Sequence, residues 1–146
     1  MTRVSPTGRD TRGMTISVED RLDIHELIAL HGHLSDAGDF DRMHEVFAAD
    51  VVCDLEDFGL GLVRGRDALR DTALAMGEGN PVGHHATNVV ITAVDDDVVR
   101  VRSKGIGIRA DGTSGSVVYE DVIQRTVGGW RIVSRKITAR RVPLTP

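Results

Sequence analysis

Residues 83–140, GHHATNVVITAVDDDVVRVRSKGIGIRADGTSGSVVYEDVIQRTVGGWRIVSRKITAR, decide the fold. Stretches rich in Val and Ile at 87–94, 98–109, 115–127 and 129–140 alternate with the turn-prone sets DDD, ADGT and GG. β-branched side chains fit a pleated strand better than a helix, and turn residues at this spacing reverse the chain, so the segment reads as an antiparallel meander. Strands of ten or more residues in a small domain must twist and curve strongly, so the sheet is expected to wrap around whatever covers it.

Upstream lie the helices that cover it. Ser17 and Asp20 form a capping-box pattern, and Leu22, Leu27, Ile28, Leu30 and Leu34 recur at helical spacing, predicting a helix over 18–35 that Gly38 interrupts. A second short helix over 40–48 would bring Met43, Val46 and Phe47 to one side. VVCDLE at 51–56 reads as a strand, and FGLG as a turn into a short strand near Leu62. GRDALRDTALAM gives a third helix with Ala68, Leu69, Ala73 and Met76 inward, broken by GEGNP. Helices placed before and beside an antiparallel sheet define an α+β fold, and a curved sheet with helices across its open side encloses a pocket.

Length and composition bound what the pocket serves. With 146 residues the chain suits one domain, expected over 17–142, flanked by a polar, disordered arm at 1–16 and a short tail at 143–146. The first residues lack the apolar segment of a secretory signal, and no apolar run approaches bilayer length. Cys53 is the single cysteine, which rules out an internal disulfide and a Cys-based zinc site and fits a reducing cytoplasm. A net charge of -4 and only 3% aromatics argue against nucleic acid as a partner, and no membrane partner is expected.

Several residues could carry chemistry. His31 lies four residues after Leu27 and three before Leu34, so it shares the apolar face of the first helix. Asp36 falls just past the expected helix end, and His84 and His85 open the meander. Tyr119 and Asp121 share one strand face because side chains alternate. By the same alternation His85 points away from His84 and reads as structural, unless a bulge intervenes. A metal site built from His31, His84 or His85 with Asp36 is not expected, because the HGH pair at 31 and 33 points in different directions on a helix.

SDAGDFDRMHEVFAADV, GHHATNVVI and VYEDVIQRTVGGWRIVSRK resemble the SnoaL-like branch of the nuclear-transport-factor-2-like (NTF2-like) superfamily, over about residues 17–140. This branch is similar to scytalone dehydratase, bile-acid dehydratase and the dehydrochlorinase that acts on hexachlorocyclohexane. The resemblance implies a cone-shaped barrel in which a strongly curved antiparallel sheet wraps three helices. It also implies a dyad, with His84 as base and Asp36 as its carboxylate partner, since the family pattern is a histidine four residues before an asparagine, here Asn88. Arg135 matches the pocket arginine of the dehydrochlorinase, and His31 stands where the lyases often carry tyrosine or lysine.

The expected catalytic set is therefore Asp36, His84, Arg135, Tyr119 and His31, with Asn88, Asp121, Phe40 and Phe58 contacting the ligand and no metal or cofactor. Tyr119 is the only tyrosine, whereas scytalone dehydratase is thought to use two, so that substrate is not expected. The implied function is a cofactor-independent lyase or isomerase of the dehydratase, dehydrohalogenase or cyclase type, acting on a small apolar molecule. The alternative is a non-catalytic binding or oligomerisation module, because this fold alone does not fix function. Association through the sheet face is expected to give a homodimer or homotrimer.

Overall fold

The structure, a computed structural model, describes residues 16–146, so the polar arm expected at the N-terminus lies outside the described residues except for Ile16. Helix α1 (Val18–Ala37) opens with the expected capping box: Ser17 Oγ accepts the Asp20 amide at 3.0 Å, and the Asp20 carboxylate accepts the Ser17 amide at 3.4 Å. It ends at Gly38, whose φ of 67° is the left-handed conformation that glycine adopts without strain. Ile24, Leu27, Ile28 and Leu34 are its buried face. Leu22, expected inward, is exposed: it lies about 200° around the helix from Ile24, which takes its place.

The second helix expected over 40–48 is instead a 3-10 turn, Phe40–Glu45. So short a segment gains little from helix propagation, and Val46 is drawn into pairing as its carbonyl accepts the Ile132 amide at 2.9 Å. Then follow β1 (Phe47–Asp54), β2 (Leu62–Arg64), α2 (Arg66–Ala75), β3 (Gly83–Asp95), β4 (Val98–Ile108), β5 (Ser114–Thr126) and β6 (Gly129–Arg140). The six strands form one sheet in the order β2-β1-β6-β5-β4-β3. All neighbours are antiparallel except β1 and β6, which run parallel and join the β1–β2 pair to the meander through a non-local pairing.

Curvature positions the site. Helix α1 packs against both β3 and β6, although β4 and β5 separate them in the sheet, which requires the sheet to bend round the helix. Register shifts between Thr87 and Val90, Ile91 and Ala93, and Val122 and Ile123 supply local bends. The α1 face packs with Val46, Val51, Val99, Ile123, Trp130 and Ile132 in one core. Beyond that core the sheet and the two helices part to leave a cavity.

Candidate active site

The cavity has a volume of about 700 Å³ and is lined by His31, Phe40, Phe47, Leu69, His84, Tyr119 and Arg135 among others. Its first feature is a contact between the last turn of α1 and the start of β3. Asp36 accepts the His84 backbone amide with both oxygens, at 3.0 and 3.1 Å, and lies 2.6 Å from His84 Nδ1 through Oδ1. A carboxylate only accepts, so Nδ1 carries a proton, and in the neutral ring Nε2 is the nitrogen with the lone pair. Asp36 is thus inside the helix, not past it, because α1 runs two residues further than its apolar pattern suggests.

Gly32 makes this contact possible. A Cβ there would run into the His84 carbonyl oxygen, so only glycine lets β3 approach the helix closely enough. A mid-helix glycine costs about 1 kcal/mol against alanine, which is the signal in the sequence that some close approach requires it.

The second feature is a buried chain of side chains behind the first. Arg135 is 1% exposed and donates from Nε and Nη2 to the two oxygens of Asp121, at 2.7 and 2.8 Å. Burial opposes its charge, but Asp121 outweighs burial and holds the guanidinium above its ordinary pKa. Its Nη1 lies 3.3 Å from His31 Nδ1. Arginine can only donate, so His31 accepts at Nδ1 and bears its proton on Nε2. Burial, the Arg135 charge and His84 together keep His31 well below the ordinary imidazole pKa, and therefore neutral.

The two histidines consequently have opposite tautomers, with ring centroids 6.0 Å apart. His84 offers a lone pair, and His31 offers an N–H. Tyr119 completes the group: its ring packs against His31 at 6.4 Å and under the Arg135 guanidinium at 4.4 Å. Its hydroxyl has no hydrogen-bond partner among the described residues, and burial keeps it protonated by raising its pKa. The ring lies over Gly105, where any Cβ would overlap it. Cys53 lines the same wall, but burial pushes its thiol up to about 11, so it is not a nucleophile at neutral pH.

Phe40 lines the cavity, as does Phe58, whose 41% exposure puts it at the mouth. Two ligand contacts expected from sequence are corrected. Asp121 does not line the cavity; it is 2% exposed and lies beneath Arg135 as its counter-ion. Asn88 is exposed, at φ 54° within the register shift of β3, and its side chain accepts from Thr87 Oγ1 instead of reaching inward. His85 is exposed and outside the lining, on the side opposite His84. Among the described residues no three His, Cys, Asp or Glu side chains gather as a metal site.

A family model for the SnoaL-like domain matches residues 17–136. The chain belongs to the SnoaL-like family. The solved structures similar to this SnoaL-like domain include an NTF2-like protein with a cystatin-like fold from Novosphingobium aromaticivorans, 28% identical, covering 84% of this chain and 82% of that one at a TM-score of 0.66. A proposed aromatic ring hydroxylase from the same organism is 27% identical, with 88% and 94% covered and a TM-score of 0.73. A proposed scytalone dehydratase, again from that organism, shares the fold at 21% identity, 86% and 89% coverage and a TM-score of 0.67. No curated protein matches the chain. The SnoaL-like domain therefore has the NTF2-like fold, and it has no helix among the described residues that is long and apolar enough to cross a membrane.

Proposed function

We propose that this SnoaL-like domain is a cofactor-independent lyase or isomerase that acts on a small, largely apolar molecule, with His84 as general base. The observation that carries this reading is the Asp36–His84 contact, which leaves His84 Nε2 free beside a second histidine of opposite tautomer. Nε2 takes a proton from a carbon next to a carbonyl, and the C–H electron pair moves onto the carbonyl oxygen. His31 Nε2–H and the Tyr119 hydroxyl donate to that oxygen while Asp36 stabilises the new imidazolium. Collapse of the enolate with loss of a β-hydroxyl, which takes the proton back from His84 and leaves as water, is dehydration. Reprotonation at another carbon is isomerisation.

Arg135 is a positioning residue in this scheme. Asp121 and His31 occupy three of its N–H groups, and it fixes the His31 tautomer and backs the Tyr119 ring. The same reading includes a homodimer or homotrimer through the outer sheet face, which exposes Val90 and Ile106; sedimentation velocity tests it.

The test is incubation in D2O with a panel of cyclic ketones and β-hydroxy ketones, followed by mass spectrometry. The expected result is deuterium beside the carbonyl, or a dehydrated product, with the wild type but not with His84→Gln. Panel members that saturate the cavity yet neither exchange nor eliminate would overturn the lyase reading in favour of a binding module.

A further inference from the structure

The chain as a whole is acidic, with 22 Asp and Glu against 18 Lys and Arg. The cavity is not. Its lining contains six arginines, Arg66, Arg70, Arg109, Arg135, Arg140 and Arg141, and among the described residues no Asp or Glu. Three of them are neutralised in place: Arg135 by Asp121, Arg141 by Asp57, and Arg70 by Asp67 and Asp71.

Arg66, Arg109 and Arg140 have no carboxylate at ion-pair distance among the described residues. Arg66 donates to the Phe47 carbonyl and Arg109 to Thr113 Oγ1, both at 3.4 Å, and Asp111 acts on Arg109 through space without forming an ion pair. They come from three different elements: the start of α2, the residue after β4 and the end of β6. Arg140 stands opposite Ser116 across the β5–β6 pair, and the Arg109 side chain reaches to Gly115 on the neighbouring strand end. Arg109 and Arg140 thus meet beside the start of β5, and cations at the edge of a low-dielectric cavity focus a positive potential into it. Guanidinium forks suit a carboxylate or phosphate in particular.

We propose that the ligand of this cavity is amphipathic, with an apolar body held against Phe40, Phe47 and Leu69 and an anionic group bound by Arg109 and Arg140. The proposal narrows the substrate class of the reaction proposed above and rests on the same cavity, but it concerns binding and does not need His84 to act.

Two fluorescent probes of similar apolar body test it: 1-anilinonaphthalene-8-sulfonate, which is anionic, and N-phenyl-1-naphthylamine, which is neutral. Wild type is expected to bind the anionic probe at least about tenfold more tightly, as a charge-assisted hydrogen bond predicts, and added NaCl should reduce that preference. The double variant Arg109→Gln/Arg140→Gln should lose the preference and keep its affinity for the neutral probe. Arg100→Gln, on the outer face of β4, should change neither. His84→Gln should still prefer the anionic probe to the neutral one, so loss of catalysis and loss of anion selection are read separately.

Displacement by decanoate, decyl phosphate and decanol identifies the group. Stronger displacement by either anion than by decanol supports the proposal, and their order tells carboxylate from phosphate. Equal binding of the two probes by wild type, or decanol matching both anions, overturns it.

Discussion

Asp20 stands in the first turn of α1 and Asp36 in its last, and each reaches across to a strand. At the N-terminus the helix dipole favours a carboxylate, and the hydrogen-bonding capacity of Asp20 is heavily used. It accepts from Ser17 N, from Arg125 Nη1 and Nη2 at 2.9 and 2.8 Å, and from Trp130 Nε1 at 3.0 Å, with Arg125 stacked over the Trp130 ring. Arg125 and Trp130 hold its carboxyl well below the ordinary range. Asp36 lies against the unfavourable end of the dipole, and every hydrogen bond found for it comes from one residue, His84. The first aspartate is a clamp whose partners are structural, with Arg125 also pairing with Asp97 at 3.0 Å. The second is bonded to a ring whose other nitrogen is free, and that difference separates a structural carboxylate from one that can serve chemistry.

Exchanging one atom at each end should separate the two roles most widely. Asp36→Asn and His84→Gln are expected to reduce turnover of any substrate found in the D2O panel by about 10²- to 10⁴-fold, the usual contribution of a general base. Their melting temperatures should stay near wild type. Asp20→Asn should do the reverse, lowering the melting temperature while the anionic and neutral probes still bind. If Asp20→Asn abolished turnover in a protein that remained folded, the division of labour between the helix ends would be wrong.

The buried pair behind the site ranks next. Asp121→Ala would leave Arg135 charged and unpaired in the interior, and removing one partner of a buried pair typically costs about 3–5 kcal/mol. Chemical denaturation measures it. A loss below about 1 kcal/mol, the range of exposed pairs, would mean that solvent reaches Arg135 after all.

How much of this could be read from sequence follows the range of the interactions. Helix α1 and the meander rest on local periodicity and turn chemistry, and both were legible. The parallel β1–β6 pairing joins segments far apart in the chain, and no local pattern announces it. Residues 40–48 carry an apolar spacing that suits a helix, but the bond from Ile132 to Val46 turns the chain toward a strand. In the site, the Asp36–His84 pair was legible only through family resemblance, because its partners come from a helix and a distant strand. Alternation correctly grouped Tyr119 with Asp121, yet it could not tell that Asp121 is spent on Arg135. The bulge at Asn88 and the glycines at 32 and 105 depend on what approaches them in space.

Gly32 offers a smaller but more selective way to break the contrast. Gly32→Ala should stabilise an isolated helix by about 1 kcal/mol, but here its Cβ meets the His84 carbonyl, so the net effect is expected to be a loss of about 1–3 kcal/mol as β3 is pushed off α1. The Asp36–His84 contact should open before the fold fails. Nitrogen-15 NMR of the imidazoles reads this directly, since His84 would lose the fixed Nδ1–H tautomer. Gain of stability with the tautomer intact would show that the close approach is not needed.

The smallest expected effect concerns His31. The folded chain keeps His31 neutral to a lower pH than the unfolded chain, whose imidazole titrates near 6.5. Between the two pKa values the unfolded state binds the additional proton, so unfolding becomes more favourable as the pH falls. The stability that His31 contributes is therefore complete above about pH 6.5 and is lost below it. The lowered carboxylates Asp20, Glu45, Asp57 and Asp111 act in a separate window, below their ordinary values of 3.8 for Asp and 4.5 for Glu, so they do not obscure it. His31→Asn can still accept from Arg135 through Oδ1 but does not titrate. Its melting temperature should fall less than that of wild type between pH 6.5 and 5, and parallel curves for the two proteins would mean that His31 is not held neutral by the fold.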